Sequence, residues 1–129
     1  MIRLLLLDDE KNVLRALRRV LFTEPYEIEL FTSGADALQR GRETTFDLVM
    51  SDYRMPGMNG VEFLAAFKEL QPDAIRVILT GYTDLAAQTQ AIREVGVYAI
   101  ADKPWDDEEL KSTLASALES RGRHRKSTV

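Results

Sequence analysis

The stretch IRLLLLDDEKNVLRALRRVL, residues 2–21, contains a change of period that decides the fold. Ile2 to Leu7 is almost wholly apolar, the pattern of a strand covered on both faces. Three acids follow, Asp8, Asp9 and Glu10. Val13, Leu14, Leu17, Val20 and Leu21 then recur at helical spacing, with Arg15, Arg18 and Arg19 on the opposite face. A strand therefore passes directly into an amphipathic helix through a short acidic turn.

The same alternation runs on to the end of the chain. Tyr26 to Phe31 alternates like a strand and precedes a short helix containing Ala35, Ala37 and Leu38. Phe46 to Met50 is the next apolar run. After a Pro-Gly turn, Val61, Leu64, Phe67 and Leu70 mark a third helix, closed by Pro72. Ile75 to Leu79 reads as a fourth strand and Val97 to Ala101 as a fifth, with a helical stripe of Leu85, Ala86, Thr89, Ile92 and Val95 between them. The last helix starts after Pro104 and carries Leu110, Leu114, Ala117 and Leu118 on one side. Strand-helix units with short connections require parallel strands, and right-handed crossovers place helices on both faces. Five such units make an open five-stranded parallel α/β sheet, because a closed eight-stranded barrel needs about twice the chain.

A length of 129 residues fits one domain. It is placed at residues 1–120, with 121–129 as a basic C-terminal tail or the start of a linker. Cysteine is absent, which excludes a disulfide framework and a thiolate metal site and is compatible with the cytoplasm. The run Ile2 to Leu7 is too short for a membrane anchor or secretory signal, and no other segment approaches membrane length. The net charge of −4 is uneven, since Arg121, Arg123, Arg125 and Lys126 lie in a tail without acids. The preceding body keeps 13 basic against 21 acidic side chains, a poor nonspecific binder of nucleic acid.

In open α/β sheets the ligand site lies outside the carboxyl ends of the strands, where the topology changes direction. The strand ends bear Asp8, Asp9 and Glu10, then Asp52, Thr80 and Lys103. Carboxylates brought together repel one another and ask for a cation, and hard oxygen donors with room for water suit Mg2+. Asp8 and Asp9 can hold the ion or its waters while Asp52 supplies an oxygen. A carboxylate can also accept a phosphoryl group, whose remaining charge the Thr80 hydroxyl and Lys103 ammonium can meet. Taken singly, each residue has a plainer reading: a solvated acid, a helix cap at Thr80, a surface charge at Lys103. All these strand ends serving one mechanism is what singles them out. An FMN site would need a Ser, Thr and Gly-rich loop where DDEK stands. A phosphatase with an aspartyl intermediate would need an acid where Arg54 stands.

The pieces LLLLDDEKNVL at 4–14, DLVMSDYRMPGMNGVEFL at 47–64, TGYTD at 80–84 and DKPWDDEEL at 102–110 stand in a specific order and spacing. Through them residues 2–119 resemble the response-regulator receiver domain of two-component signalling, the CheY-like superfamily. The resemblance implies a flavodoxin-like (βα)5 sandwich with strand order 2-1-3-4-5. It further implies that Asp52 takes a phosphoryl group from a phosphohistidine on a sensor histidine kinase or phosphotransfer protein. Asp9, Asp52 and the backbone carbonyl of Arg54 would ligate Mg2+ directly and Asp8 mainly through water, while Thr80 and Lys103 contact the phosphoryl oxygens. Lys103-Pro104 is expected to be cis. The domain would catalyse its own phosphotransfer and autodephosphorylation, with no separate small-molecule activity.

The family's output runs through the surface of helix four, strand five and helix five, which can also form a homodimer. At its aromatic switch position this chain has Ile100, so either a smaller aliphatic rearrangement carries the switch or that surface is less responsive. Tyr98 is expected on the same strand and face. Arg54 and Tyr82 border the path of the attacking water in the family, and their bulk implies slow autodephosphorylation. His124, the only histidine, follows the last helical stripe in a basic stretch unlike a phosphotransfer site, so the phosphoryl group must come from outside. Three readings stay open: a stand-alone receiver, a receiver joined to an effector such as a DNA-binding, ATPase or cyclic-dinucleotide hydrolase domain, and a pseudo-receiver that serves as a docking module with weak phosphorylation.

Overall fold

A computed structural model describes the backbone of residues 1–81 and 85–127, with side chains throughout except at 85–88, 90 and 121–127. β1 (Ile2–Leu7), β3 (Leu48–Asp52) and β4 (Ile75–Gly81) form the middle of a parallel sheet whose edges are β2 (Tyr26–Phe31) and β5 (Ala99–Lys103). The order is β2-β1-β3-β4-β5, as the resemblance implies. Successive side chains of each strand point to opposite faces, so each buried strand feeds two cores. Leu4, Leu6, Met50, Val77 and Leu79 pack against α1 (Lys11–Leu21) and α5 (Asp107–Ser127). Leu5, Leu7, Val49 and Ile78 pack on the other side, beneath α2 (Gly34–Glu43), α3 (Gly60–Leu70) and α4 (Leu85–Val95).

α3, which follows β3 after the 53–59 loop, starts on a complete capping box. Asn59 Oδ1 accepts the Glu62 N–H at 2.9 Å, and the Asn59 N–H donates to Glu62 Oε1 at 2.9 Å. This reciprocal pair satisfies donors that a helix N-terminus otherwise leaves without partners. Asn59→Ala is expected to cost about 1 kcal/mol in urea unfolding, and Glu62→Gln, which keeps an acceptor in place, much less.

Several boundaries differ from the sequence reading. β3 begins at Leu48 rather than Phe46 and ends at Asp52; β5 begins at Ala99 rather than Val97 and ends at Lys103. Backbone pairing outlasts the apolar runs, with Asp52 opposite Leu79 and Lys103 opposite Gly81. Tyr98 consequently precedes β5 and is exposed. Among the described side chains of α4, Ala91 and Val95 are buried, while Ile92, expected on the buried stripe, is 58% exposed. α5 continues as a helix to Ser127, through most of the segment read as a tail, so the backbone at position 124 is helical. The side chain of His124 lies outside the described residues.

Candidate functional site

β1, β3, β4 and β5 deliver their polar residues to one edge of the sheet. Asp8 follows β1 and is fully buried. Its N–H donates to the Phe31 carbonyl at 3.1 Å, its Oδ1 accepts the Glu10 N–H at 2.8 Å, and its Oδ2 accepts Lys103 Nζ at 3.0 Å. The same ammonium lies 3.4 Å from Asp52 Oδ1 and 4.0 Å from Glu10 Oε1. Lys103 thus joins the ends of β1, β3 and β5 across 95 positions of sequence from Asp8. Thr80, also buried, stands in β4, the strand between Asp52 and Lys103. The Lys103-Pro104 peptide is cis.

Burial pushes the Asp52 carboxyl up to about 6, and the neighbouring Asp8 charge adds to this. Lys103 pulls in the opposite direction and Asp9 raises it further. At Lys103, burial lowers the pKa, but the hydrogen bond to Asp8 and the charges of Asp52 and Asp8 outweigh it and hold the ammonium above its ordinary value. The site is therefore a partly desolvated acidic well held together by one lysine.

Carboxylate oxygens of Asp8, Asp9 and Glu10 lie within 4.8 Å of one another. Asp52 stands outside that trio and is tied to it through Lys103. Four carboxyl groups, Asp8, Asp9, Glu10 and Asp52, gather around the single ammonium of Lys103, and the donors are all hard oxygens. The residues present thus fit a divalent hard cation. Glu10 was legible only as the last acid of DDE; its approach to Lys103 follows from the turn that Asp8 Oδ1 closes.

Two further elements shape the loop beyond Asp52. The Tyr53 N–H donates to the Leu79 carbonyl at 3.0 Å, and the Tyr53 carbonyl accepts the Gly60 N–H at 2.8 Å. These bonds pin both ends of the 54–59 loop, in which Arg54 is exposed. Gly60 escaped the sequence reading. A Cβ there would fall 2.4 Å from the Asp52 carbonyl oxygen, so the start of α3 lies directly against the end of β3. Tyr82 lies outside the described residues.

Residues 4–115 match the family model described as the response regulator receiver domain. The chain belongs to this family. The receiver is 34% identical over 118 residues to the hydrogenase transcriptional regulatory protein HoxA of Cupriavidus necator, covering 92% of this chain and 24% of that protein. It spans about a quarter of the length of the curated relatives it matches. Among solved structures it resembles the signal receiver domain of an HD domain-containing protein from Pseudomonas fluorescens Pf-5, with a TM-score of 0.91 and 34% identity over 97% of this chain and 92% of the other. A CheY-like receiver domain protein from Methanospirillum hungatei JF-1 superposes with a TM-score of 0.90 at 25% identity, covering 96% and 98% of the two chains. Among the described residues of the receiver, no helix is long and apolar enough to cross a membrane.

Proposed function

We propose that this receiver accepts a phosphoryl group on Asp52 from a phosphohistidine of a sensor histidine kinase or phosphotransfer protein, in a Mg2+-dependent reaction. The observation that carries this reading is the buried Asp52 carboxylate at the end of a central strand, 3.4 Å from the Lys103 ammonium, with the buried Thr80 on the neighbouring strand β4. An Asp52 oxygen forms the new O–P bond as the P–N bond to the histidine breaks. The electron pair of that bond stays on the imidazole nitrogen, which takes a proton from solvent. The Thr80 hydroxyl and Lys103 ammonium meet the charge on the phosphoryl oxygens. Asp8, Asp9 and Asp52, with the carbonyl of Arg54, would hold the Mg2+, which supplies charge neutralisation when bound.

Output through α4, β5 and α5, to an effector domain or a second copy, goes with this reading. HoxA is named as a transcriptional regulator and the Pseudomonas receiver comes from an HD domain-containing protein, which favours a receiver joined to an effector. Ile100 borders a cavity of about 210 Å3 lined also by Trp105 and Leu110.

Intact mass after treatment with a small phosphodonor and Mg2+ tests the assignment. A gain of about 80 Da in the parent, absent in Asp52→Asn and without metal, is the expected result. No gain in a folded parent that binds Mg2+ would instead identify a pseudo-receiver that works as a docking module.

A further inference from the structure

Arg76 lies at the start of β4, at the opposite end of that strand from Thr80. Its guanidinium faces no carboxylate within ion-pair distance among the described residues. Instead it donates to three backbone carbonyls: Nε to Val95 at 2.9 Å, and Nη1 to Ala74 at 2.9 Å and Pro72 at 3.2 Å. Val95 is the last residue of α4, where carbonyls lack intrahelical partners and the helix dipole is negative. The Arg76 carbonyl in turn accepts the Tyr98 N–H at 2.8 Å, one step before the β4–β5 ladder begins at Val77 and Ala99. Between the two contacts the chain turns at Gly96, whose φ of +66° suits glycine and whose missing Cβ would stand 3.6 Å from Nη2. Side chain and main chain of one residue therefore grip both sides of the α4–β5 turn.

Alternation along β4 places Arg76, Ile78 and Thr80 in one row on the face that α4 covers. Ile78 belongs to the same core cluster as Ala91 and Val95 of α4. The row spans about 13 Å at ordinary strand rise. One end lies at the phosphoacceptor edge and the other holds the last carbonyl of the helix.

We propose that Arg76 is a clasp that fixes the C-terminal end of α4 to β4 and makes that end the pivot about which the helix moves when the phosphoacceptor edge changes state. A residue clasped to carbonyls at one end cannot slide, so displacement grows toward the other end. Arg76 is thus a positioning residue for the output face. The use of the pivot rests on the phosphoacceptor reading; the clasp does not.

Amide hydrogen exchange on the metal-free receiver tests the clasp alone. Arg76→Met, which keeps the aliphatic stem and loses every donor, should accelerate exchange at residues 92–98 at least tenfold relative to Leu5 and Val49 in the buried sheet. Arg76→Lys, which keeps one charged donor, should restore part of the protection. Equal acceleration at all these amides would mean general destabilisation, and no change at 92–98 would mean the carbonyl contacts are idle; either overturns the proposal. Beryllofluoride with Mg2+ then tests the pivot. Exchange should change along residues 85–91 but not 92–98 in the parent, and along the whole helix in Arg76→Met. Equal change at both ends of α4 in the parent overturns the pivot, whereas failure of beryllofluoride to bind counts against the phosphoacceptor reading and leaves the clasp to the first experiment.

Discussion

Replacing Asp52 by Asn should raise the stability of the metal-free receiver at pH 7.5 by about 2 kcal/mol and leave it near parity with the parent at pH 4. Asp52 is a carboxyl pushed up from 3.8 to about 6, chiefly by burial and then by Asp8. A carboxyl with a raised pKa in the folded state binds its proton more tightly there than in the unfolded chain. Its contribution to stability is fully present below the unfolded value and is lost as pH rises through about 6. The full shift corresponds to about 3 kcal/mol. Part of this is offset in the variant, because Lys103 loses a partner at 3.4 Å while keeping Asp8 at 3.0 Å. The raised Lys103 pKa leaves that ammonium charged throughout this window, so it adds no slope of its own. Urea unfolding at several pH values reads the difference directly. Mg2+ should stabilise the parent more than the variant at neutral pH. Equal pH profiles for the two proteins would mean that Asp52 ionises as freely as in the unfolded chain.

Gly60→Ala should destabilise the receiver by about 3 kcal/mol and slow acquisition of the phosphoryl group at Asp52. The new Cβ would meet the Asp52 carbonyl oxygen at 2.4 Å, Tyr53 Cα at 3.0 Å and the Asp52 carbonyl carbon at 3.1 Å. All three are backbone atoms and cannot rotate aside as a side chain could. Relief requires the start of α3 to leave β3, which strains the bond from the Gly60 N–H to the Tyr53 carbonyl and moves Asp52 out of line with Lys103. Urea unfolding gives the energetic cost and time-resolved intact mass the loss of rate. A cost below about 1 kcal/mol with an unchanged rate would show that the α3–β3 junction yields without disturbing Asp52.

Much of this was readable from period and order alone. The apolar runs at 2–7 and 75–79 and the alternation at 26–31 read as strands, and the stripe through Leu14, Leu17 and Leu21 as the buried face of α1. Placement of Asp8, Asp52, Thr80 and Lys103 on one edge follows from parallel connectivity, whatever the side-chain details. Hydrophobicity was a poorer guide where pairing continues past the apolar run. Asp52 and Lys103 lie within strands because their neighbours still offer backbone partners, and Ile92 is exposed because the covered face of α4 runs through Ala91 and Val95.

By itself the sequence determined the architecture, the edge that carries the chemistry and the donor types present there, since each depends on local period and chain order. Only the tertiary structure decided which groups touch. Lys103 meets Asp8 and Asp52, Glu10 joins the acidic trio, Gly60 admits the backbone of Asp52, and Arg76 closes on the end of α4. The Lys103 contacts join strands distant in the chain and the Arg76 contact joins a strand to the end of a helix, so their distances are set by sheet register and helix packing, which no local pattern encodes.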